Sequence, residues 1–446
     1  MTPDADPRLR RWTAPLRFAA RLFTGRAAPG ELRAACVRVL ANVPFADGAR
    51  RRLLLSTRPN PFAPRDPHAH AWPRDLMRPA PPVAGKPDVF VWALIDWHFR
   101  IQRPQHLAHA WAQRGHRVFY VSNESIDAPA PGFSPELLDA NARLYQVHLH
   151  VSNAPTIYHA MPTAAQSAEL DASLRAFLEW TGATDAISVV QHPFWSDLAT
   201  RVSGARVIYD CMDHHAGFDN NAPDVIEAEH RLVAEAESVV VTSAWLAQSF
   251  EGKARRVQVV RNACDYTLFA TPPRERFRDE AGRRVIGYHG AIAPWFDVEL
   301  VARVARAFPD ALVVLVGADT TGAAAQLAEF PNVRFTGEVD YTTLPYWVHG
   351  FDVGLLPFRV TPLTLATNPV KVYEYLAAGK PVVGVDLPEM AQFDELVHIA
   401  RDDGHFLAAV RACLDAAPDE HQRRARQAFA SQQTWGRRAD AILPGC

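Results

Sequence analysis

The stretch ATNPVKVYEYLAAGKPVVG, residues 366 to 384, holds the densest chemistry in the chain. Asn368 is a good N-cap, Pro369 suits the first helical position, and Gly379 before Lys380 and Pro381 is a strong stop, so a helix is predicted from about 369 to 378. The start of such a helix carries unbonded amide N–H groups and a partial positive charge, which together make an anion site. Val370 and Lys371 fall in that first turn and Glu374 lies three residues beyond Lys371 on the same face. An ammonium there can grip a phosphate while the carboxylate reaches a vicinal diol. The same two residues would also make an ordinary exposed pair on a surface helix, and residue types alone do not choose between these readings.

Three other segments carry groups that could move protons. YDCMDHH, residues 209 to 215, ends a predicted strand with two carboxylates and two histidines, so Asp210 and Asp213 are candidate general bases for a hydroxyl. A metal site is the weaker reading, because Asp-x-x-Asp-His lacks a third ligand at a usual spacing; no metal and no cofactor are expected. QHPFW places His192 just after another strand, where it serves either chemistry or packing. DWHFRIQRPQHLA, from Asp96 to Ala108, follows the first predicted strand. Asp96 is a further candidate catalytic carboxylate, and Arg100, Arg103 and His106 could receive an anionic group or cap and solvate the turn.

These segments need a scaffold that brings strand ends together. VFVWALI, VFYV, AISVV, RVIYD and SVVVTS read as strands separated by helices, with VQVV closing a sheet; RVIGYHG, LVVLVG, VRFTG, DVGLLP and PVVGVD form a second series. Continuous apolar strands alternating with helices predict parallel sheets covered on both faces, hence an α/β chain of two Rossmann-like domains. The expected divisions are a basic helical extension and Pro-rich linker at 1–86, a first domain at 87–270, a second at 284–425 and a C-terminal helix at 426–446 that returns to the first domain. The charged stretch from Pro272 to Arg284 is the expected hinge. Ligands of such folds bind outside the strand C-termini. The pattern argues against a classical dehydrogenase, since no Gly-x-Gly-x-x-Gly follows either first strand.

Composition narrows the partners. With 47 basic and 49 acidic residues the net charge is −2, which offers nothing to a nucleic acid. Residues 1–58 nevertheless carry twelve arginines against four acidic residues. Within them, 8–26 interleave arginine with Trp12, Leu16 and Phe23, so this arm either lies on an anionic membrane surface or packs on the protein itself. The five cysteines are scattered, no run approaches the length of a spanning helix, and arginines interrupt every early apolar run. The expectation is a cytoplasmic protein, peripheral on the inner face of the membrane if the arm binds lipid.

The segment from Asn368 to Gly384 closely resembles the donor-site helix of GT-B glycosyltransferases, especially retaining family 4. That resemblance implies two facing Rossmann-like domains and a nucleoside diphosphate sugar as donor substrate, with UDP the nucleotide expected and the base not fixed by the residues. It also implies that Glu374 bonds the nucleotide ribose. Gly287 to Gly290 resembles the loop beneath the donor phosphates, and FTGEV, with Gly337 and Glu338, the turn that meets the nucleobase. His192 is loosely similar to a family histidine near the transferred sugar. Two departures stand out: the usual second Glu, eight positions before Glu374, is Ala366, and AIAPWFD after the glycine loop lacks the usual basic pair. The Asn-Pro-Val-Lys segment is more similar to bacterial surface-polysaccharide transferases and inverting glucuronosyltransferases of exopolysaccharide assembly. In these a lysine at the position of Lys371 holds the diphosphate and the Arg-Pro-Gln loop meets the acceptor. The implied activity is hexosyl transfer to a lipid-linked or surface polysaccharide acceptor, of open stereochemistry. A nucleotide-sugar epimerase of the same architecture and a non-catalytic sugar-nucleotide-binding protein are the competing readings.

Overall fold

The computed structural model describes residues 77–139, 141–218 and 221–444; the basic arm at 8–26 and most of the Pro-rich linker lie outside them. Two sheets organise the described chain. The first contains β1 (Asp88–Trp92), β2 (Val118–Val121), β3 (Phe133–Leu137), β4 (Leu144–Leu149), β5 (Ala186–Val190), β6 (Arg206–Cys211), β7 (Ser238–Val241) and β8 (Val257–Val259). Their order is β3-β4-β2-β1-β5-β6-β7-β8, parallel except for β3 against β4. The second contains β9 (Val285–His289), β10 (Leu312–Val316), β11 (Val333–Gly337), β12 (Val353–Leu356), β13 (Val382–Val385) and β14 (His398–Ala400), in the order β11-β10-β9-β12-β13-β14, with every pairing parallel. The expected fold class is therefore observed: two doubly wound lobes.

The longer helices are α1 (Arg103–Gln113), α2 (Ala164–Thr181), α3 (Pro223–Glu235), α4 (Ala244–Phe250), α5 (Val298–Ala307), α6 (Val370–Ala377), α7 (Asp403–Asp415), α8 (Glu420–Ser431) and α9 (Trp435–Ile442). Central strands such as β1, β2, β5 and β10 are buried along their whole length, as sheets covered on both faces require. Each face of the first sheet has its own core: Phe90, Phe119, Phe177 and Trp195 on one side, Val91, Trp111, Tyr120 and Ile208 on the other. A single core around Ile286, Val313, Leu355 and Tyr375 holds the second lobe.

Three sequence expectations shift. β3, β4 and β14 were not predicted. The crossing between lobes lies earlier than Pro272 to Arg284: Val260 and Ala263 pack in the first lobe, whereas Cys264, Phe269 and Phe277 already belong to the second core. The charged stretch follows that crossing and is surface covering, with the Phe277 amide bonded to Tyr346 O at 2.9 Å. Lastly, the C-terminal segment is two helices, α8 beside α6 and α9 against α1, broken where Gln433 O accepts from Cys264 N at 3.1 Å.

α9 buries Trp435, Ala439 and Ile442, spaced four and three residues apart, against the first lobe, and Trp111 Nε1 donates to Ala439 O at 3.3 Å. Among the described residues no helix is long and apolar enough to cross a membrane. Removing the Trp435 ring should leave a cavity between α9 and the first lobe: Trp435→Ala is expected to cost about 3–5 kcal/mol in urea unfolding followed by circular dichroism, and a midpoint equal to wild type would show that α9 does not brace the lobes.

Candidate active site between the lobes

Loops leaving the C-terminal ends of β1, β6, β9, β10, β11 and β12 face one another and line a cavity of about 680 Å³, together with the start of α6 and Trp435 of α9. The floor on the second lobe is a stack of glycines. Gly290 sits at φ +122°, and a Cβ there would lie 2.2 Å from Lys371 Cε. Gly317, at φ +151°, would place a Cβ 2.0 Å from Gly290 O. Both positions need glycine because the backbone turns left-handed and its neighbours arrive at contact distance. Gly337 O then accepts from Gly317 N at 2.9 Å.

α6 begins on this floor. Its N-cap is Pro369, not Asn368 as expected, and the helix spans Val370–Ala377. Asn368 is instead fully engaged: its Oδ1 accepts from Asn262 N at 2.8 Å and from the Tyr373 hydroxyl at 3.1 Å, and its Nδ2 donates to Glu389 at 2.9 Å. The helix amides are thus left without a side-chain cap and open towards the cavity beside Lys371. Lys371 Nζ lies 5.6 Å and 5.4 Å from the ring centres of Tyr288 and Phe358. Burial draws its ammonium down to about 8, with Glu374 opposing the shift and Arg100 adding to it. Burial pushes the Glu374 carboxyl up to about 8, and Lys371 only partly offsets this. Tyr341 Oη donates to Glu374 at 3.3 Å, and His289 Nε2 lies 3.3 Å from its other oxygen. Burial, with the Lys371 charge behind it, takes His289 down to about 3, so that imidazole is neutral.

The facing wall is built by the Arg-Pro-Gln segment. Arg103 is buried and grips Asp210 with Nε at 3.1 Å and Nη2 at 2.7 Å; its Nη1 donates to Val260 O at 2.9 Å. Pro104 occupies the first turn of α1, and Gln105 donates to the carbonyls of Asp96, Trp97 and Arg100, which fixes the loop before it. Asp96 accepts from His98 N at 2.9 Å, from Ser122 Oγ at 2.8 Å and from Gln146 Nε2. Burial would raise its carboxyl, but His148 and these bonds hold it below the usual range.

Several sequence assignments change accordingly. Asp210 is fully buried and committed to Arg103 and Gln191, so it is not available as a general base. Asp96 is likewise used to fix its loop, and neither carboxylate lines the cavity. His192 is buried behind it, its Nδ1 accepting from Phe194 N and its ring edge-on to His215 and Tyr158. Gly287 lies inside β9, where a Cβ would strike the Phe351 ring at 2.1 Å; it is a packing glycine, not part of a phosphate loop. Gly337 is not among the lining residues; it turns left-handed at φ +73° and its carbonyl accepts from Gly317 N. Arg103 is spent on Asp210, Arg100 is paired with Glu338 at 2.5 and 2.9 Å, and His106 is stacked on Trp435 at 4.9 Å and pushed down to about 3 by burial. None of these three stands as an unengaged anion receptor. Ala366, in place of the expected second Glu, is buried in the first lobe's core.

The cavity does gather Asp213, Gly290, Glu338, Asn368, Val370, Lys371 and Glu374. Burial pushes Asp213 up to about 6, close to the working range of a general base. Three lining residues were not singled out: His289, Tyr341 and His98, whose Nε2 lies 2.9 Å from the buried Glu136 carboxylate. His289 ends β9 and His98 lies in the loop after β1, and strand ends are a signal present in the sequence. Behind the wall, Cys211, His215 and Glu229 bring ligand-type atoms within 4.8 Å of one another. Two of the three are already engaged: Glu229 accepts from Tyr209 Oη at 2.5 Å and from Cys211 Sγ at 3.9 Å, Cys211 Sγ also donates to Asp213 O at 3.2 Å, and burial pushes the thiol and the carboxyl up.

Comparison with known proteins bears on this geometry. The sequence model of the family "Glycosyl transferases group 1" matches residues 283–416. A Bacillus subtilis (strain 168) protein, "Putative teichuronic acid biosynthesis glycosyltransferase TuaH", is 30% identical over 262 residues, 53% of this chain and 66% of the relative, which is just short of two thirds of its length. Sucrose-phosphate synthase from Thermosynechococcus elongatus superposes with a TM-score of 0.63 at 14% identity, over 80% of this chain and 97% of that one. Anabaena Alr3699/HepE in complex with UDP and glucose gives 0.56 at 16% identity, over 80% and 98%. These structures share the fold.

Because Asp210 neutralises a buried guanidinium, its removal should act on stability. Arg103→Ala and Asp210→Ala are each expected to lose about 3–5 kcal/mol by stranding a buried charge, read from chemical denaturation. An Asp210→Asn protein with wild-type stability but no transfer activity would return the role of base to Asp210.

Proposed function

We propose, from the match of residues 283–416 to the model of the group 1 glycosyl transferases and from the GT-B fold around it, that the protein transfers a hexosyl unit from a nucleoside diphosphate sugar to a hydroxyl of a lipid-linked or surface polysaccharide acceptor. One observation carries this reading: an uncapped helix start with Lys371 and Glu374 opens onto a glycine floor inside an interlobe cavity. The diphosphate would rest on the α6 amides and Lys371, and Glu374 would take the ribose hydroxyls. UDP is the preferred donor nucleotide, since the Anabaena protein of the same fold was solved with it. The name of the Bacillus relative favours a cell-surface polymer as acceptor. The basic arm at 8–26 would hold the enzyme to an anionic inner membrane face.

In the reaction the acceptor oxygen bonds to the anomeric carbon as the bond from that carbon to the phosphate oxygen breaks, and the electron pair leaves with the diphosphate. Lys371 and the helix amides stabilise that growing charge. The acceptor proton passes to Asp213 in an inverting reaction, or to the departing phosphate oxygen in a retaining one; the anomeric signal of the product by NMR separates the two.

Incubation with UDP- and GDP-sugars and a lipid or glycan extract tests the activity: transfer supports it, an isomerised donor would point to an epimerase, and binding without turnover to a sugar-nucleotide-binding protein. Lys371→Ala and Glu374→Ala should each weaken nucleotide binding on the order of tenfold or more, as loss of a charge-assisted contact does, with the melting temperature retained; unchanged titration curves for both would remove the site. If Asp213 is the base, kcat/KM should be bell-shaped. It should rise as Asp213 loses its proton through about 6 and fall as Lys371 loses its charge through about 8. Asp213→Asn should abolish the acidic limb together with most of the rate.

A further inference from the structure

A nucleoside diphosphate brings at least two negative charges into the cavity, and the wall of the second lobe offers one ammonium to meet them. Among the described residues lining the cavity the Lys and Arg side chains are Arg100, Arg103 and Lys371. Arg103 is buried and given over to Asp210 and to the carbonyls of Val260 and Arg261. No cation follows the glycine floor between Ala291 and Asp297. Arg100 remains, from the opposite lobe, its side chain 27% exposed and paired with Glu338, itself 31% exposed.

We propose that Arg100 is the second cation of the donor diphosphate site, delivered across the cleft, and that Glu338 holds its guanidinium in place until the diphosphate takes it over. This rests on the nucleotide-sugar reading of the cavity and reassigns Arg100 from the acceptor side. The geometry is continuous. Glu338 follows Gly337, whose carbonyl holds Gly317; Gly317 touches Gly290, and Gly290 touches Lys371. The Arg100–Glu338 pair therefore stands one short backbone stack away from the lysine. The electrostatics agree, because the Arg100 charge adds to the burial that lowers the Lys371 ammonium. Two cations repel across the same space, and a polyanion between them relieves both. The planar fork that grips the Glu338 carboxylate by Nε and Nη2 is the one that grips phosphate oxygens in pairs. A half-exposed pair of this kind is worth little in itself, so exchanging the carboxylate for a diphosphate meets little resistance.

Calorimetric titration with UDP and with uridine separates a phosphate contact from any other effect. For Arg100→Ala we expect UDP to bind on the order of tenfold more weakly, with uridine affinity and melting temperature as in wild type. Glu338→Gln, which removes the competitor, should tighten UDP several-fold relative to uridine, and should have no such effect when Arg100 is already alanine. UDP affinity within twofold of wild type in Arg100→Ala, or an equal loss for UDP and uridine, overturns the proposal. A wild-type protein that binds neither UDP nor GDP defeats the nucleotide-sugar reading itself and this inference with it.

Discussion

The buried pair between Arg103 and Asp210 is the fixture from which both walls of the cavity are set. One guanidinium joins the start of α1 to the end of β6 and, through Nη1, to Val260 O and Arg261 O at the crossing between the lobes. The next residue, Asn262, then binds Asn368 twice, N to Oδ1 at 2.8 Å and Nδ2 to the carbonyl at 2.7 Å. Asn368 immediately precedes the cap of α6. These six residues thus register the helix that faces the cavity against the loop that opposes it. A charge pair at this depth is a poor source of net stability but a strong source of geometry, since either partner alone would be stranded without water.

The same crossing carries a second tie. Glu389, 2% exposed, accepts from Ala244 N at 2.9 Å, from Arg261 Nε at 2.7 Å and from Asn368 Nδ2 at 2.9 Å. Its carboxylate therefore joins α4 of the first lobe to the segment before α6 in the second. The lobes are thus linked by buried, directional bonds at the crossing and by the partly exposed Arg100–Glu338 ion pair across the cavity. That asymmetry suits a site that must admit a large ligand and then exclude water.

Legibility in the sequence followed the range of the forces involved. Continuous apolar runs made eleven strands readable; in the central ones burial on both faces leaves few polar positions to blur them, whereas the edge strands β8 and β11 are only partly buried. β3, β4 and β14 were missed: FSPEL contains a proline, LYQVHL carries a glutamine and a histidine that are buried only by tertiary contacts, and HIA is three residues long. Lys371, Glu374 and the open helix start were legible from local spacing. Local spacing misled at Asn368, whose capping chemistry was diverted to Asn262, 106 residues away. It misled again at Asp210, where a carboxylate at a strand end looks reactive until an arginine from another segment is found on it. Partners far apart in the chain decide whether a polar group is used for chemistry or for geometry, and no single segment reveals them.

The division of labour between the walls follows from these assignments. Groups able to hold an anion on the second lobe, the α6 amides and Lys371, sit where burial has already raised Glu374 and lowered His289, so little neighbouring negative charge competes for them. On the first lobe Arg103, Asp96 and Gln105 are consumed in shaping the loop, which leaves Trp97, His98, Phe99 and Ile101 as much of its cavity lining. Phe99 and Ile101 are each 37% exposed, an apolar lip on the mouth. Charge recognition is concentrated on the lobe with the helix start, and the opposing lobe contributes shape, a carboxylate-backed imidazole at His98 and the Arg100 guanidinium paired with Glu338. A ligand charged at one end and largely neutral at the other would satisfy both walls at once, whereas a polyanion lying along the first-lobe loop would meet aromatic rings instead of counter-charges.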